Sequence, residues 1–379
     1  MKRISYGRQS IDGSDIKAVA GVLMSDWLTQ GPKVKEFEDA LCKYTGARYA
    51  VAVSNGTAAL HLACLAAGLK AGDEAITSPI TFVASANCIL YCRAKPIFAD
   101  IREETVNIDP KEIQKKLTKK TKVLIPVHFA GYPYDMEEIN RIAKKHDLVI
   151  IEDACHALGA EYKGSKIGSC QYSDMAVFSF HPVKSITTGE GGAILTNNRK
   201  YYEKLLLLRT HGITKEKSKL KNKGEGSWYY EMQELGFNYR ITDLQCALGI
   251  SQLKRIKSFM AKRRKIADIY DKNLSAMKNI SLPYKSGNVK SARHIYYILL
   301  KDYRKKKDIF NKLQAAGIHA QVHYIPVHLQ PYYRENFGYK TGDYKKAEAY
   351  YHKAITLPLY PGLKLSEAEY VLNILRKAL

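Results

Sequence analysis

The stretch Asp174-Met-Ala-Val-Phe-Ser-Phe-His-Pro-Val-Lys184-Ser-Ile-Thr-Thr-Gly-Glu-Gly-Gly-Ala-Ile-Leu-Thr196 decides how this chain is read. An apolar run over residues 175–180 halts at Pro182. Lys184 follows, then a turn-rich Thr-Thr-Gly-Glu-Gly-Gly segment, then a second apolar run ending at Thr196. Short apolar runs bounded by turn residues read as buried strands. A lone lysine between two such strands sits where desolvation disfavours the ammonium form and lowers its pKa. An amine in that state can attack a carbonyl and form a Schiff base. The plainer reading is an exposed loop lysine, one of 60 Lys and Arg in the chain. Only partners elsewhere in the sequence can displace it.

At 379 residues the chain can hold a large core and two domains. Its 46% hydrophobic and 26% charged content, without low-complexity runs or a fixed-period repeat, is globular. The first ten residues lack the apolar segment of a signal peptide. The longest uncharged stretch, 49–69, is broken by Ser54-Asn55-Gly56 and reads as strand, turn and helix, so no membrane span is expected. Seven cysteines with no CxxC pair suit reduced core thiols in a cytoplasmic protein, and no metal site is indicated. The net charge of +23 would suit nucleic acid, an anionic membrane face or anionic small substrates. Its lysines, however, are spread over helix faces, with clumps at 115–122, 215–223 and 301–307. No zinc finger, RNP-like motif or recognition helix accompanies them, so no nucleic-acid partner is expected.

Working outward from Lys184, residues 12–25 and 33–44 read as amphipathic helices, with Val34, Phe37 and Leu41 on one face. From Tyr49 onward strands and helices alternate. Strands are expected at 49–53, 74–78, 97–99, 122–127 and 148–152, and helices at 57–67, 82–92, 110–116 and 135–145. Strands 175–180 and 192–196 then lead into a helix at 200–209. This alternation implies an α/β fold, a three-layer α/β/α unit with a mostly parallel sheet. Ligands collect at the carboxyl ends of such strands. The charged, aperiodic segment 215–226 reads as a mobile loop, and a long helical region starts at Thr242 and breaks before Ala276. Beyond Pro283 a strand at 295–300, a helix at 305–316, a strand at 320–323 and a terminal helix at 366–379 suggest a smaller α+β unit. The expected division is an N-terminal segment and large domain over 1–245, and a small C-terminal domain over 246–379.

The polar residues at the strand ends carry the chemistry. At Ser54-Asn55-Gly56-Thr57 a strand turns into a helix, and the free N–H groups there suit a phosphate dianion. An ordinary capped βα loop explains that turn equally well, and neither GxGxxG nor GxxxxGK[ST] is present. Asp153 ends a buried apolar strand and needs a cation or several donors. It can pair with the ring nitrogen of a pyridine cofactor, so that the ring acts as an electron sink, or it can cap a helix. Lys184 lies 31 residues further on, Ser179 is placed to give a hydroxyl to a phosphate, and Phe82 can stack on a flat ring. Phosphate cradle, aromatic lid, carboxylate and lysine at successive strand ends describe a pyridoxal 5'-phosphate (PLP) site.

The motifs S-N-G-T-A-A-L, T-F-V-A-S, E-D-A-C-H-A-L-G-A, F-S-F-H-P-V-K-S-I-T-T-G-E-G-G and L-G-F-N-Y-R-I-T-D-L-Q-C-A-L-G follow one another along the chain. In this the sequence resembles, over essentially its whole length, the DegT/DnrJ/EryC-type nucleotide-sugar aminotransferases, which are fold-type I, PLP-dependent enzymes. The resemblance implies an aspartate aminotransferase-like fold in which Lys184 forms the Schiff base and shuttles protons. It places Asp153 at the pyridine nitrogen and His156 beside the ring. Gly56, Thr57, Ala58 and Ser179 would hold the phosphate, with Phe82 packed on the ring. Asn238 would reach the cofactor of a partner subunit, which implies a homodimer with shared active sites. Tyr6, Trp27, Leu28, Thr29, His181, His323, Tyr324 and Ile325 would line the sugar-nucleotide pocket. Cys155 receives no role.

Leu28-Thr-Gln-Gly31, His181-Pro182 and the run Gln-Val-His-Tyr-Ile-Pro-Val-His-Leu-Gln-Pro-Tyr-Tyr over 321–333 resemble one branch of that family. That branch, in pseudaminic acid biosynthesis, moves the amino group of L-glutamate to C4 of a UDP-4-keto-6-deoxy-N-acetylhexosamine. Amination at C3 or C4 of another UDP-, dTDP- or GDP-linked sugar stays open. The dehydratases of the same family carry histidine where this chain has Lys184, which argues against that chemistry.

Overall fold

The two apolar runs around Lys184 are neighbouring antiparallel strands inside a seven-stranded sheet. A computed structural model describes residues 3–222 and 225–379. The chain starts with β1 (Ile4–Ser5), α1 (Gly13–Leu23) and α2 (Pro32–Thr45). The sheet is then built from β2 (Tyr49–Val53), β3 (Glu74–Thr77), β4 (Lys95–Phe98), β5 (Thr121–Ile125) and β6 (Val149–Asp153). Between these strands run α3 (Gly56–Ala66), α4 (Ala84–Tyr91), α5 (Pro110–Lys116) and α6 (Met136–His146). After the small hairpin β7 (Glu161–Tyr162) and β8 (Ser165–Lys166), β9 (Met175–Ser179) and β10 (Gly192–Thr196) complete it. The strand order is β2-β10-β9-β6-β5-β3-β4. β10 runs antiparallel to both neighbours, and the other pairs are parallel.

Alternation along the strands explains the layers. Val51 and Val53 join one apolar cluster with α3 and α4, whereas Ala50 and Ala52 join the opposite cluster with α2 and α6. Both faces are covered, so these strands read as continuous apolar runs rather than as alternating ones.

After the sheet come α7 (Arg199–Arg209) and the short pair β11 (Ile213–Thr214) and β12 (Glu231–Met232). The expected break in the long helical region falls at Arg255, between α8 (Asp243–Lys254) and α9 (Ile256–Leu274). A second sheet is formed by β13 (Ile280–Ser281), β15 (Tyr296–Leu300) and β17 (Ala354–Leu357), while β14 (Val289–Lys290) joins the β7 hairpin. The remaining elements are α10 (Lys306–Ala315), β16 (Ile318–His319), α11 (Pro331–Phe337), α12 (Lys345–Lys353) and α13 (Leu365–Ala378).

One expected strand is placed differently. The strand expected at 320–323 is instead the two-residue β16, which pairs with β1; Gln321 then bonds to Thr356 and the chain turns away. Within the loop 215–226 the Glu231 carboxylate gathers the N–H groups of Lys221 (2.8 Å) and Asn222 (2.8 Å), and residues 223–224 lie outside the described residues. Finally, Cys246, Leu253, Ile256, Phe259 and Met260 pack with the large sheet, and on α9 the second cluster begins at Ile266. The second core thus starts later in the chain than residue 246, and it recruits Ile4 from the N-terminus. Among the described residues no helix is long and apolar enough to cross a membrane.

Candidate active site

The carboxyl ends of β2, β6 and β9, the start of α3 and the loop after β16 enclose a cavity of about 830 Å³. Tyr6, Gly56, Thr57, Ala58, Phe82, Asp153, His156, Ser179, His181, Lys184, His323 and Tyr324 all line it. They come from positions up to some three hundred residues apart, brought together because parallel strands end on one edge.

At the start of α3, Asn55 accepts the Ala58 N–H with its side chain (2.8 Å) and the Ala59 N–H with its carbonyl (3.1 Å). The N–H groups of Gly56 and Thr57 come ahead of that cap and are left for an anion. Ser179 closes on the same point. A Cβ at Gly56 would lie 2.8 Å from the Ser179 Cβ and 3.5 Å from the Cys155 Sγ, so only glycine permits this approach of α3 to β9.

Asp153, the last residue of β6, is buried, and a buried carboxylate needs donors. Ser85 Oγ donates to its Oδ2 (2.5 Å) and the Cys155 N–H to its Oδ1 (3.1 Å). Lys184 follows the end of β9, its N–H bonded to the His181 carbonyl (2.9 Å). Burial holds its pKa below the ordinary lysine value; Cys155 and Asp153 oppose that shift and Arg263 adds to it.

Arg263 of α9 is fully buried. Its guanidinium donates to the carbonyls of Leu359 (2.9 Å), His294 (3.3 Å), Val183 (3.4 Å) and Lys184 (3.4 Å). It thus ties the Lys184 loop to the second core through carbonyls, and burial brings its pKa down to about 10. Three histidines complete this side. His156 Nε2 shares a hydrogen bond with the Tyr324 hydroxyl (3.1 Å), the His156 and His294 rings are 4.5 Å apart, and His323 Nδ1 meets Thr356 Oγ1 (3.0 Å). Burial, foremost, lowers the pKa of all three, that of His323 to about 4. They are neutral near pH 7.

The donor set fits PLP. The glycine-dependent cradle suits a phosphate, the buried carboxylate suits a ring N–H⁺, and the depressed amine suits an aldehyde. His156 Nδ1, buried and without a partner among the described residues, is a further polar atom beside that space.

Not every expected residue reaches the cavity. Within one chain Trp27, Leu28, Thr29 and Ile325 are not on its wall. The buried Asp243 carboxylate accepts the N–H groups of Gly31 (2.5 Å) and Lys33 (2.7 Å), holding the 27–33 loop against α8. Trp27 there lines a separate groove of about 580 Å³ between α1, α2 and α8. Ile325 points outward, 47% exposed. Asn238 pairs with Thr210 off the wall, while its neighbour Tyr239 lines it.

Sequence reasoning missed Ser85, His294 and Arg263. Ser85 sits inside the T-F-V-A-S motif, so a signal existed. Arg263, within Lys262-Arg263-Arg264-Lys265, looks like one more surface charge.

Residues 9–376 match the DegT/DnrJ/EryC1/StrS aminotransferase family. The chain is 41% identical, over 377 residues covering 98% of it and 96% of the relative, to the UDP-4-amino-4,6-dideoxy-N-acetyl-beta-L-altrosamine transaminase of Campylobacter jejuni. Among solved structures it resembles Helicobacter pylori PseC, an aminotransferase involved in the biosynthesis of pseudaminic acid. The TM-score is 0.92 at 36% identity, over 100% of this chain and 99% of the other. The PLP form of Spr1654 from Streptococcus pneumoniae matches with a TM-score of 0.92 at 32% identity, over 100% of both chains. By these likenesses, and by a cavity whose residues suit the cofactor, the chain belongs to the DegT/DnrJ/EryC1/StrS family and is a PLP-dependent aminotransferase.

Proposed function

We propose that this aminotransferase moves the amino group of L-glutamate to C4 of a UDP-4-keto-6-deoxy-N-acetylhexosamine, giving UDP-4-amino-4,6-dideoxy-N-acetyl-beta-L-altrosamine. The observation that carries the reaction is the convergence of Lys184, Asp153 and the Gly56 cradle on one cavity. The 41% identity to the C. jejuni transaminase supports the choice of sugar.

Bound there, PLP supplies an aldehyde that takes amines and a ring that withdraws electrons. Lys184 would hold the cofactor and carry a proton at Nζ to and from the reacting carbon, a role that its lowered pKa favours. Asp153 pairs with the ring nitrogen. Gly56, Thr57, Ala58 and Ser179 hold the phosphate, and Phe82 and His156 flank the ring. Tyr6, His181, His323 and Tyr324 orient the sugar nucleotide, and their bulk keeps water from the reacting carbon. The enzyme acts as a cytoplasmic homodimer in which Asn238 reaches the cofactor of the partner subunit and Trp27, Leu28, Thr29 and Ile325 complete the pocket. The exposure of Trp228 (74%), Met232 (63%) and Leu235 (77%) near Asn238 supports a partner surface there.

The test supplies the PLP-loaded protein with L-glutamate and the UDP-4-keto sugar, follows 2-oxoglutarate, and identifies the product by mass spectrometry and NMR. Amination at C4 is expected. Amination at C3, or turnover of dTDP- or GDP-linked ketosugars alone, would overturn the substrate while leaving the reaction class in place.

A further inference from the structure

We propose that Thr81 and Ser85 form a hydroxyl relay that fixes the Asp153 carboxylate for the cofactor ring, which makes Ser85 a positioning residue of this reaction. The inference rests on the role proposed above for Asp153 and extends it to two residues that have none.

Ser85 is the second residue of α4 and is fully buried, with its Oγ 2.5 Å from Asp153 Oδ2. That separation is in the range of a hydroxyl bonded to an ionised oxygen. The other acceptor within reach, the Phe82 carbonyl, is 3.4 Å away and competes poorly. A serine hydroxyl has one proton. With that proton on the carboxylate, the 2.7 Å contact between Ser85 Oγ and Thr81 Oγ1 runs in one direction, from Thr81 to Ser85. Thr81, also buried, lines the cavity. The four-residue spacing across the turn into α4 puts both hydroxyls on one side. Each donor polarises the next, so the terminal bond to Asp153 is stronger than an isolated one.

The relay answers a specific difficulty. A buried carboxylate that swings about its side-chain torsions offers its oxygens to a ring N–H⁺ only part of the time. Ser85 on Oδ2 and the Cys155 N–H on Oδ1 together set the plane of the group. Two donors on different oxygens leave it one orientation.

The experiment compares Ser85→Ala, Thr81→Val and Asp153→Asn with the parent. Cofactor-stripped protein is titrated with PLP by absorbance, and the ring-nitrogen resonance of ¹⁵N-labelled PLP is recorded in the loaded protein. Ser85→Ala is expected to weaken PLP binding about tenfold and to move the resonance toward neutral pyridine, as losing one charge-assisted bond implies. Thr81→Val, which keeps the bulk of the side chain, should move both in the same direction by less. Thermal unfolding of the stripped proteins checks that each is folded, and Thr81→Val serves alone if Ser85→Ala is not. A parent-like resonance in folded Ser85→Ala, or in Thr81→Val where that variant serves alone, overturns the relay. If Asp153→Asn shifts the resonance in that case, only the relay has failed; if Asp153→Asn is also parent-like, the role of Asp153 fails with it.

Discussion

On the sheet side of the cavity, Asp153 is met by a hydroxyl and a backbone N–H, and the Gly56-Thr57 turn offers further donors. On the opposite side stand His294, His323 and Tyr324, with His156 between, all held neutral by burial, and behind them a buried arginine bonded only to carbonyls. The first wall gathers hydrogen-bond donors around a carboxylate, and the second refuses added positive charge. Lys184 stands between them. One wall draws a proton onto its amine and the other drives it off, and desolvation, the largest influence, lowers its pKa. A lysine that is both nucleophile and proton carrier gains from a lowered pKa, and here that comes without a carboxylate clamped on the amine.

The strongest way to break this comparison is to remove the group on which both walls act. Lys184→Ala should still take up PLP through the cradle and Asp153, but kcat for the glutamate half-reaction should fall by at least about 10³-fold. Stopped-flow absorbance on the loaded variant measures it, and near-parent turnover would end the assignment. Next comes the second wall. Arg263→Met strands the carbonyls of Leu359, His294, Val183 and Lys184, and should cost about 3 kcal/mol in chemical denaturation. Arg263→Lys, which keeps a charge, should cost less.

The sheet wall is probed at its tightest contact. In Gly56→Ala the new methyl would sit 2.8 Å from the Ser179 Cβ. The resulting overpacking at the cradle should weaken PLP affinity by about 10- to 100-fold while the protein stays folded. The smallest effect sharpens the contrast in charge. His323, with its pKa near 4 in the folded protein, lies below the ordinary histidine value of 6.5. Above that value both folded and unfolded forms are neutral and the residue contributes nothing. As pH falls from 6.5 toward 4 the unfolded chain binds a proton that the folded one does not, so stability declines. His156 and His294 act in the same direction. The pH-dependence of thermal unfolding in His323→Gln should therefore be shallower across that window.

Much of the sheet wall was legible because it is local. Gly56-Thr57, Asp153, Ser179 and Lys184 each lie at or just past the end of a strand that its own apolar run announces, and parallel strands deliver their ends to one edge. The second wall was less so. His323 and Tyr324 came through motif likeness, although the strand expected at 320–323 is a loop beyond β16. Arg263 and His294 had no signal, since a helix arginine in a basic run and a histidine before a strand look like surface residues until packing buries them. The position of the loop 27–33 had no local signal either: Asp243, more than two hundred positions away, holds it against α8, off the wall of the cavity in its own chain.

The sequence by itself determined the reaction class and which residue types stand at the strand ends. Hydrophobic periodicity is enough to find those ends. Only the tertiary structure decided how those groups are ionised and oriented. Burial lowers the pKa of Lys184 and of the histidines, and Ser85, brought in on α4, orients Asp153. Desolvation and hydrogen bonding depend on what surrounds a side chain, and its sequence neighbours are only part of that surrounding.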